Sequence, residues 1–274
     1  MRYGAATRLV SLKSLNRMNN RRFDFLGVKI SVINPEIAAQ KIKEYPFTGP
    51  AYICFPDASV VKEAYTDPLL KQILNTAYLT MPDGKPSQIV ARLKGHKTVS
   101  TVSGFHLCHA LLQTDLTHYF YGGNDATIDS MKKKLQQQFP QAKILGYKAP
   151  PFVSAAEIAN SELVKADIEN IRALQPNLVW IGISSPKQDY LMHHFHRQLP
   201  QSLMLGVGGV FLYFADETLR SPEWVKKMGL RWAYRLLKEP KRLWPKYYAT
   251  IKFLLQNRSF FLKLLFRKKQ PALS

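Results

Sequence analysis

Pro82-Asp83-Gly84 is the sharpest chemical feature of this chain. It closes a short apolar run, Tyr78 to Thr80, that reads as a strand. A carboxylate at a strand end can take a proton from a hydroxyl nucleophile, and Gly84 lets a ligand approach the backbone closely. Pro-Asp-Gly is also a common turn sequence, so the triplet by itself leaves both roles open. Three further turns could receive a ligand: Gly122-Gly123-Asn124-Asp125, Gly182 to Gln188, and Gly206-Val207-Gly208-Gly209. Each follows a strand-like run. In parallel sheets the strand C-termini form the ligand crevice, and helix N-termini there offer free N–H groups to phosphate. None of the three matches the dinucleotide fingerprint or the Walker loop.

Metal chemistry finds little support. His193, His194 and His196 crowd one helix without the spacing of a metalloprotease, and they read as partly exposed surface. No Cys/His cluster has zinc spacing, and there is no Asp-x-Asp to hold a metal against a diphosphate. No metal and no cofactor are expected, and arginines are the expected counter-charge for any bound phosphate.

The elements that must position these residues alternate along the chain. Residues 27–33 and 51–55 read as strands with a helix at 35–45 between them, Pro35 in its first turn. Helical runs follow Asp57 and Pro68, and another extends from Gly84 to about Lys94. Strands are expected at 118–121, 143–147, 178–183 and 203–207, with helices at 126–139, at 154–174 and after Pro186. This alternation predicts an α/β, Rossmann-like layered fold with a mostly parallel sheet. From Ser221 onward the pattern is all helix, so a C-terminal helical appendage is expected from residue 220.

Charge divides the chain in the same way. The last 55 residues hold 15 Lys and Arg against two acids, Glu223 and Glu239, and residues 1–23 add six basic residues and no acid. The total is +20, so residues 24–219 carry a net +1. Three segments follow: a basic stretch at 1–23, a nearly neutral core at 24–219, and a basic aromatic appendage at 220–274. In the appendage, Trp224, Trp232, Trp244, Tyr247 and Tyr248 interleave with the cations, which suits an anionic membrane face. On a helical wheel for 252–270, Lys252, Gln256, Ser259, Lys263, Arg267 and Gln270 form one narrow stripe, and most of the remaining surface is apolar. No secretory signal and no window of 18 apolar residues is evident, and Cys54 and Cys108 cannot form a disulfide framework.

Taken in order, these segments resemble the TagA/WecG/CpsF family of bacterial glycosyltransferases, from about Phe25 to Arg258. The resemblance rests most on Gly206-Val207-Gly208-Gly209-Val210-Phe211, Arg220-Ser221-Pro222-Glu223-Trp224, Met228-Gly229-Leu230-Arg231-Trp232 and Glu239-Pro240-Lys241-Arg242-Leu243-Trp244. Pro82-Asp83-Gly84, Gly122-Gly123 and Pro186-Lys187-Gln188-Asp189 match further blocks. It implies an inverting, metal-independent transfer of a hexose of N-acetylmannosamine type from a UDP-sugar. The implied acceptor is a sugar on a polyprenyl diphosphate at the inner face of the cytoplasmic membrane. Asp83 would be the general base. Asp57, Gly84, Gly122, Gly123, Asn124, Gly182, Lys187, Gln188 and Gly208 would bind substrate, and Arg220, Arg235 and Arg242 would lie near the diphosphates. The chain departs from the family pattern at Phe55 and Asp57 of Phe55-Pro56-Asp57, at His106 and at Leu212, which would alter contacts near the sugars. The expected location is cytoplasmic and peripheral, and a homo-oligomer is left open. The rival class is a nucleic-acid binder, which a pI of about 9.9 allows. The apolar surface of the last helix favours the membrane, so no nucleic-acid partner is expected.

Overall fold

Short β-branched and apolar runs form the strands, and Asp, Asn and Ser residues start the helices between them. The computed structural model describes residues 21–266 apart from Ala155 and Gly229. An antiparallel hairpin, β1 (Arg22–Phe25) and β2 (Val28–Ser31), precedes a six-stranded sheet. The sheet strands are β3 (Ala51–Cys54), β4 (Leu79–Thr80), β5 (Thr117–Gly122), β6 (Lys143–Lys148), β7 (Leu178–Gly182) and β8 (Leu203–Gly206). Their spatial order is β4-β3-β8-β7-β5-β6, and every pairing is parallel. Leu178, Val179, Trp180 and Ile181 of β7 have no exposed surface, as a central parallel strand covered on both faces requires. This confirms the layered α/β expectation.

Between β2 and β5 lie α1 (Pro35–Lys43), α2 (Ala58–Thr66), α3 (Pro68–Thr76), α4 (Gly84–Leu93) and α5 (Gly104–Leu111). Then come α6 (Asp125–Gln138), α7 (Glu162–Leu174), α8 (Lys187–Phe195) and α9 (Val210–Ala215). The C-terminal segment is all helix, as expected: α10 (Glu223–Met228), α11 (Arg231–Lys238), α12 (Pro240–Gln256) and α13 (Arg258–Leu265).

Four local expectations change. The helix expected at 154–174 begins only at Glu162. Ser154 and Glu157 form a reciprocal cap around a single turn, with Ser154 N–H on Glu157 Oε2 at 3.0 Å. Ser161 then caps α7 separately by accepting from Val164 N–H. The apolar six- and eight-residue runs of α9 and α5 carry too few turns for a helical period to emerge, and neither is predicted by pattern. The basic segment at 1–23 lies mostly outside the described residues, but Arg22 and Phe23 belong to β1. The Arg22 guanidinium donates to the carbonyls of Asn75 at 3.0 Å and Tyr78 at 3.2 Å, tying the hairpin to the chain entering β4.

The last change concerns the long amphipathic helix expected at 252–270. It breaks at Asn257, whose side-chain amide joins its own backbone N–H on the Phe253 carbonyl, each at 3.0 Å. Residues 267–270 lie outside the described residues. The break turns α13 onto the body, where Phe260 and Phe261 each lie 6.4 Å from the ring of fully buried Phe25. Phe253 and Leu264 are buried, while Leu255, Leu262, Leu265 and Phe266 stay exposed. Phe253, Leu254, Phe260, Phe261 and Leu264 therefore pack on the body rather than facing outward.

Replacing Phe25 by Ala should cost about 3–5 kcal/mol, because it removes a buried ring and the seat of α13. Urea unfolding of the full chain would measure it, and a loss below about 1 kcal/mol would mean that α13 does not depend on this contact.

Candidate active site

Parallel pairing converts sequence positions into an order along one rim. Starting at the β4 edge, the loops after the strands carry Asp83, then Asp57, then Gly206 to Gly209, then Gly182 to Gln188, then Gly123 and Asn124, and last Lys148 to Phe152. With strands about 4.8 Å apart, five gaps make this rim roughly 24 Å long. Residues from all six loops line one open cleft of about 1160 Å³. The C-terminal helices close one end of it: α12 packs on α2, α13 packs on α4, and Arg235, Lys238, Glu239, Leu243 and Lys246 line the cleft.

Asp83 stands at the N-cap position of α4, yet its side chain makes no capping bond to that helix. Backbone bonds hold it in place, with Asp83 N–H on Met81 carbonyl at 2.9 Å and Val102 N–H on Pro82 carbonyl at 3.0 Å. Gly84 follows at φ +78, a conformation that glycine adopts without strain, and it turns the chain into α4. Gly84 does not itself line the cleft, so its role there is the turn.

Other predicted positions are brought together but with part of their chemistry already spent. Asp57 caps α2, its Oδ1 accepting from Ser59 N–H at 2.8 Å and Val60 N–H at 3.0 Å. Its Oδ2 faces Lys246 Nζ at 3.8 Å, a link from the body to α12. Asn124 caps α6 by accepting from Thr127 N–H at 2.9 Å. Gln188 is buried, and its amide donates to Gly206 carbonyl at 2.7 Å and Ser185 hydroxyl at 2.8 Å while accepting from Gly208 N–H at 2.9 Å. That side chain staples two ligand-facing turns together, with both amide donors committed. Ser184 in the same turn sits at φ +75, an unfavourable backbone for a side-chain-bearing residue, and it lines the cleft.

Gly122 does not line the cleft. A Cβ there would stand 2.5 Å from the Gly182 Cα, so the glycine permits β5 and β7 to approach at their ends. Arg220 lies in a small side recess with Phe105, His106, Tyr213 and Arg235. Its guanidinium pairs with Glu217 at 2.6 Å and lies 5.1 Å from the Phe105 ring centre. Arg235 borders both the recess and the cleft. The side chain of Arg242 falls outside the described residues. Gly123, Gly182, Lys187 and Gly208 line the cleft, and so do the departures Phe55, Asp57 and Leu212. Sequence reasoning missed Lys148, Phe152, Asp167, Lys238 and Lys246, none of which stands in a recognisable local motif.

Asp189, one residue beyond Gln188, is fully buried at the start of α8. Neither carboxylate oxygen has a hydrogen-bond partner of normal geometry, although the Cys54 thiol and Ser185 stand nearby. Burial pushes its pKa up to about 6 against the partial relief those neighbours give. Among the described residues, no group of three or more His, Cys, Asp or Glu side chains could hold a metal ion. No helix among them is long and apolar enough to cross a membrane.

A rim of helix starts and glycine turns along the strand C-termini, with cations over one end, is the arrangement by which open α/β sheets receive phosphorylated ligands. The chain belongs to the glycosyl transferase WecG/TagA/CpsF family, whose model matches residues 23–271, and is a glycosyltransferase. Among its relatives is an N-acetylglucosaminyldiphosphoundecaprenol N-acetyl-beta-D-mannosaminyltransferase of Bacillus spizizenii, 28% identical over 211 residues, 73% of this chain and 78% of the relative. An enzyme of the same name from Bacillus subtilis is 25% identical over 246 residues, 86% of this chain and 83% of the relative. One from Staphylococcus aureus is 23% identical over 238 residues, 83% and 89% of the two chains.

The Asp189 carboxyl is favoured protonated in the fold, so its contribution to stability is greatest below pH 4 and is lost as pH rises through about 6. Asp189→Asn removes this titration. Relative to the unmodified chain, the variant should gain up to about 3 kcal/mol between pH 4 and pH 7. Urea midpoints at the two pH values would measure the difference, and a constant offset would show that Asp189 is not buried as an acid.

Proposed function

We propose that this chain transfers an N-acetylmannosamine-type hexose, with inversion, from a UDP-sugar to a sugar carried on a polyprenyl diphosphate. The names of its relatives support the acceptor and the transferred sugar. The single observation that carries the mechanism is the shared cleft of Asp83 and the cations Arg235, Lys238 and Lys246. The acceptor hydroxyl attacks the anomeric carbon, Asp83 takes the hydroxyl proton, and the bond from that carbon to the diphosphate oxygen breaks. Negative charge grows on the departing diphosphate, where the helix starts that follow the Gly123 and Gly208 turns, at Asp125 and Val210, present their first N–H groups and the three side chains offer positive charge. In this reading the chain's own cations do the neutralising, and no divalent ion takes part.

A lipid-linked acceptor requires the cleft to meet a membrane. The C-terminal helices that border it leave Trp224, Trp232, Leu237, Trp244 and Tyr248 exposed, with basic residues between them. Amphipathic rings with cations suit the headgroup layer of an anionic bilayer, and we place the protein there, peripheral on the cytoplasmic face.

Asp83→Asn should lower turnover by roughly 10²–10⁴-fold with little change in donor affinity. UDP release from UDP-N-acetylmannosamine and a lipid-diphosphate acceptor would measure it, in the presence and absence of a chelator. Near-normal turnover in the variant would remove Asp83 from the chemistry, and loss of wild-type activity to the chelator would overturn the metal-independent reading. Replacing Trp224, Trp232 and Trp244 together by Ser should weaken co-sedimentation with anionic vesicles at least ten-fold while the melting temperature stays within a few degrees. Unchanged sedimentation would move the membrane contact elsewhere.

A further inference from the structure

The rim order constrains how a nucleoside diphosphate sugar lies in the cleft. The reacting carbon must come within about 3–3.5 Å of its nucleophile, which must itself touch the base. Asp83 follows β4, at one edge of the sheet. A sugar bound beyond β5, some 20 Å away by strand spacing, would be out of its reach. The sugar therefore belongs at the Asp83 end, the diphosphate over the glycine turns of β8, β7 and β5, and the nucleoside toward β6.

What stands at the β6 end fits a flat, uncharged, hydrogen-bonding ring. The loop after β6 carries Pro150, Pro151 and Phe152, and Phe152 is fully exposed on the cleft wall. Lys187 Nζ, from the turn after β7 two strands along the rim, lies 5.1 Å from that ring's centre. Behind them is Asp167 of α7, almost buried but lining the cleft. Its Oδ2 accepts from the buried Tyr121 hydroxyl at 3.1 Å, and its Oδ1 faces Lys148 Nζ at 3.6 Å. The Asp167–Lys148 pair has no net charge and itself gives no pull on phosphate; the remaining cation, Lys187, belongs to the β7 turn over which the diphosphate would lie. Each carboxylate oxygen keeps a second lone pair, and the half-exposed ammonium keeps donors to spare.

We propose that this end of the cleft is the donor's base subsite, with Phe152 as its stacking platform and Asp167 and Lys148 as readers of a uracil-type edge. The proposal rests on the UDP-sugar reading above. Uracil presents one N–H between two carbonyl oxygens, which matches an acceptor beside a donor. Cytosine presents a bare ring nitrogen and an amino group there, which sets lone pair against carboxylate. Stacking on an exposed ring supplies affinity for either pyrimidine without choosing between them.

Titration calorimetry of the full chain with UDP and CDP would test this, using Phe152→Ala, Asp167→Asn and Lys148→Met. The unmodified chain should bind UDP at least ten-fold more tightly than CDP. Phe152→Ala should weaken both by roughly ten-fold, the usual worth of one stacked base. Asp167→Asn and Lys148→Met should shrink the UDP preference several-fold. Phe152 and Lys148 are exposed enough that their variants keep the fold even if Asp167→Asn does not. No UDP binding by the unmodified chain would overturn the donor reading and this inference with it. Tight UDP binding with no preference over CDP, or binding unchanged in the Phe152 and Lys148 variants, would overturn the base subsite alone.

Discussion

Parallel pairing is the constraint on which the rest depends. Every β-α-β crossover in such a sheet returns the chain to the same starting edge, so all six strands deliver their C-terminal loops to one rim. A site built there needs no long-range accident to bring its loops together. What the fold must supply is the spacing of the turns. Gly122 lets β5 and β7 end in contact, and the buried Gln188 amide holds the β7 and β8 turns to each other. The cleft floor is thus backbone held by abutting strand ends and one buried side-chain amide, which suits a charged ligand that cannot tolerate misplaced donors.

The chain's charge separation acquires a spatial meaning from this rim. The nearly neutral body supplies turns, caps, the carboxylates Asp57, Asp83, Asp125 and Asp167 and the cations Lys148 and Lys187, while the C-terminal helices add Arg235, Lys238 and Lys246. α12 is anchored on α2 and α13 on α4, beside β3 and β4. At the β6 end Lys148 is matched by Asp167, and Lys187 from the β7 turn adds positive charge against Phe152. The Asp57–Lys246 pair joins the two parts at the place where they meet. As a half-exposed pair it adds little stability.

Asp189 shows a cost carried close to the site. An acid with no partner of normal geometry, enclosed beside the rim, is an unusual thing for a fold to keep. Its neighbour Gln188 is fully satisfied, and the two together form the first turn of α8. The buried carboxyl destabilises the fold near neutral pH, in the part of the molecule that must hold its turns still.

The sequence by itself determined the alternation of strands and helices, the strand ends to within one residue of Gly122, Gly182 and Gly206, the turn at Asp83-Gly84 and the basic, aromatic C-terminal segment. These are local properties: periodicity over a few residues, a glycine after an apolar run, a count of charges. It misjudged elements in which two caps fall within one apolar stretch, as at Ser154 and Ser161, or in which a polar side chain interrupts a helix, as at Asn257. Only the tertiary structure decided that Asp57 and Asn124 spend their oxygens on helix caps and that Arg220 lies in a side recess. It alone brought Lys148, Phe152 and Asp167 to the cleft beside Lys187. The reason is that β6, β5 and β7 pair out of sequence order, so side chains from distant segments become neighbours through sheet hydrogen bonds that no local pattern records.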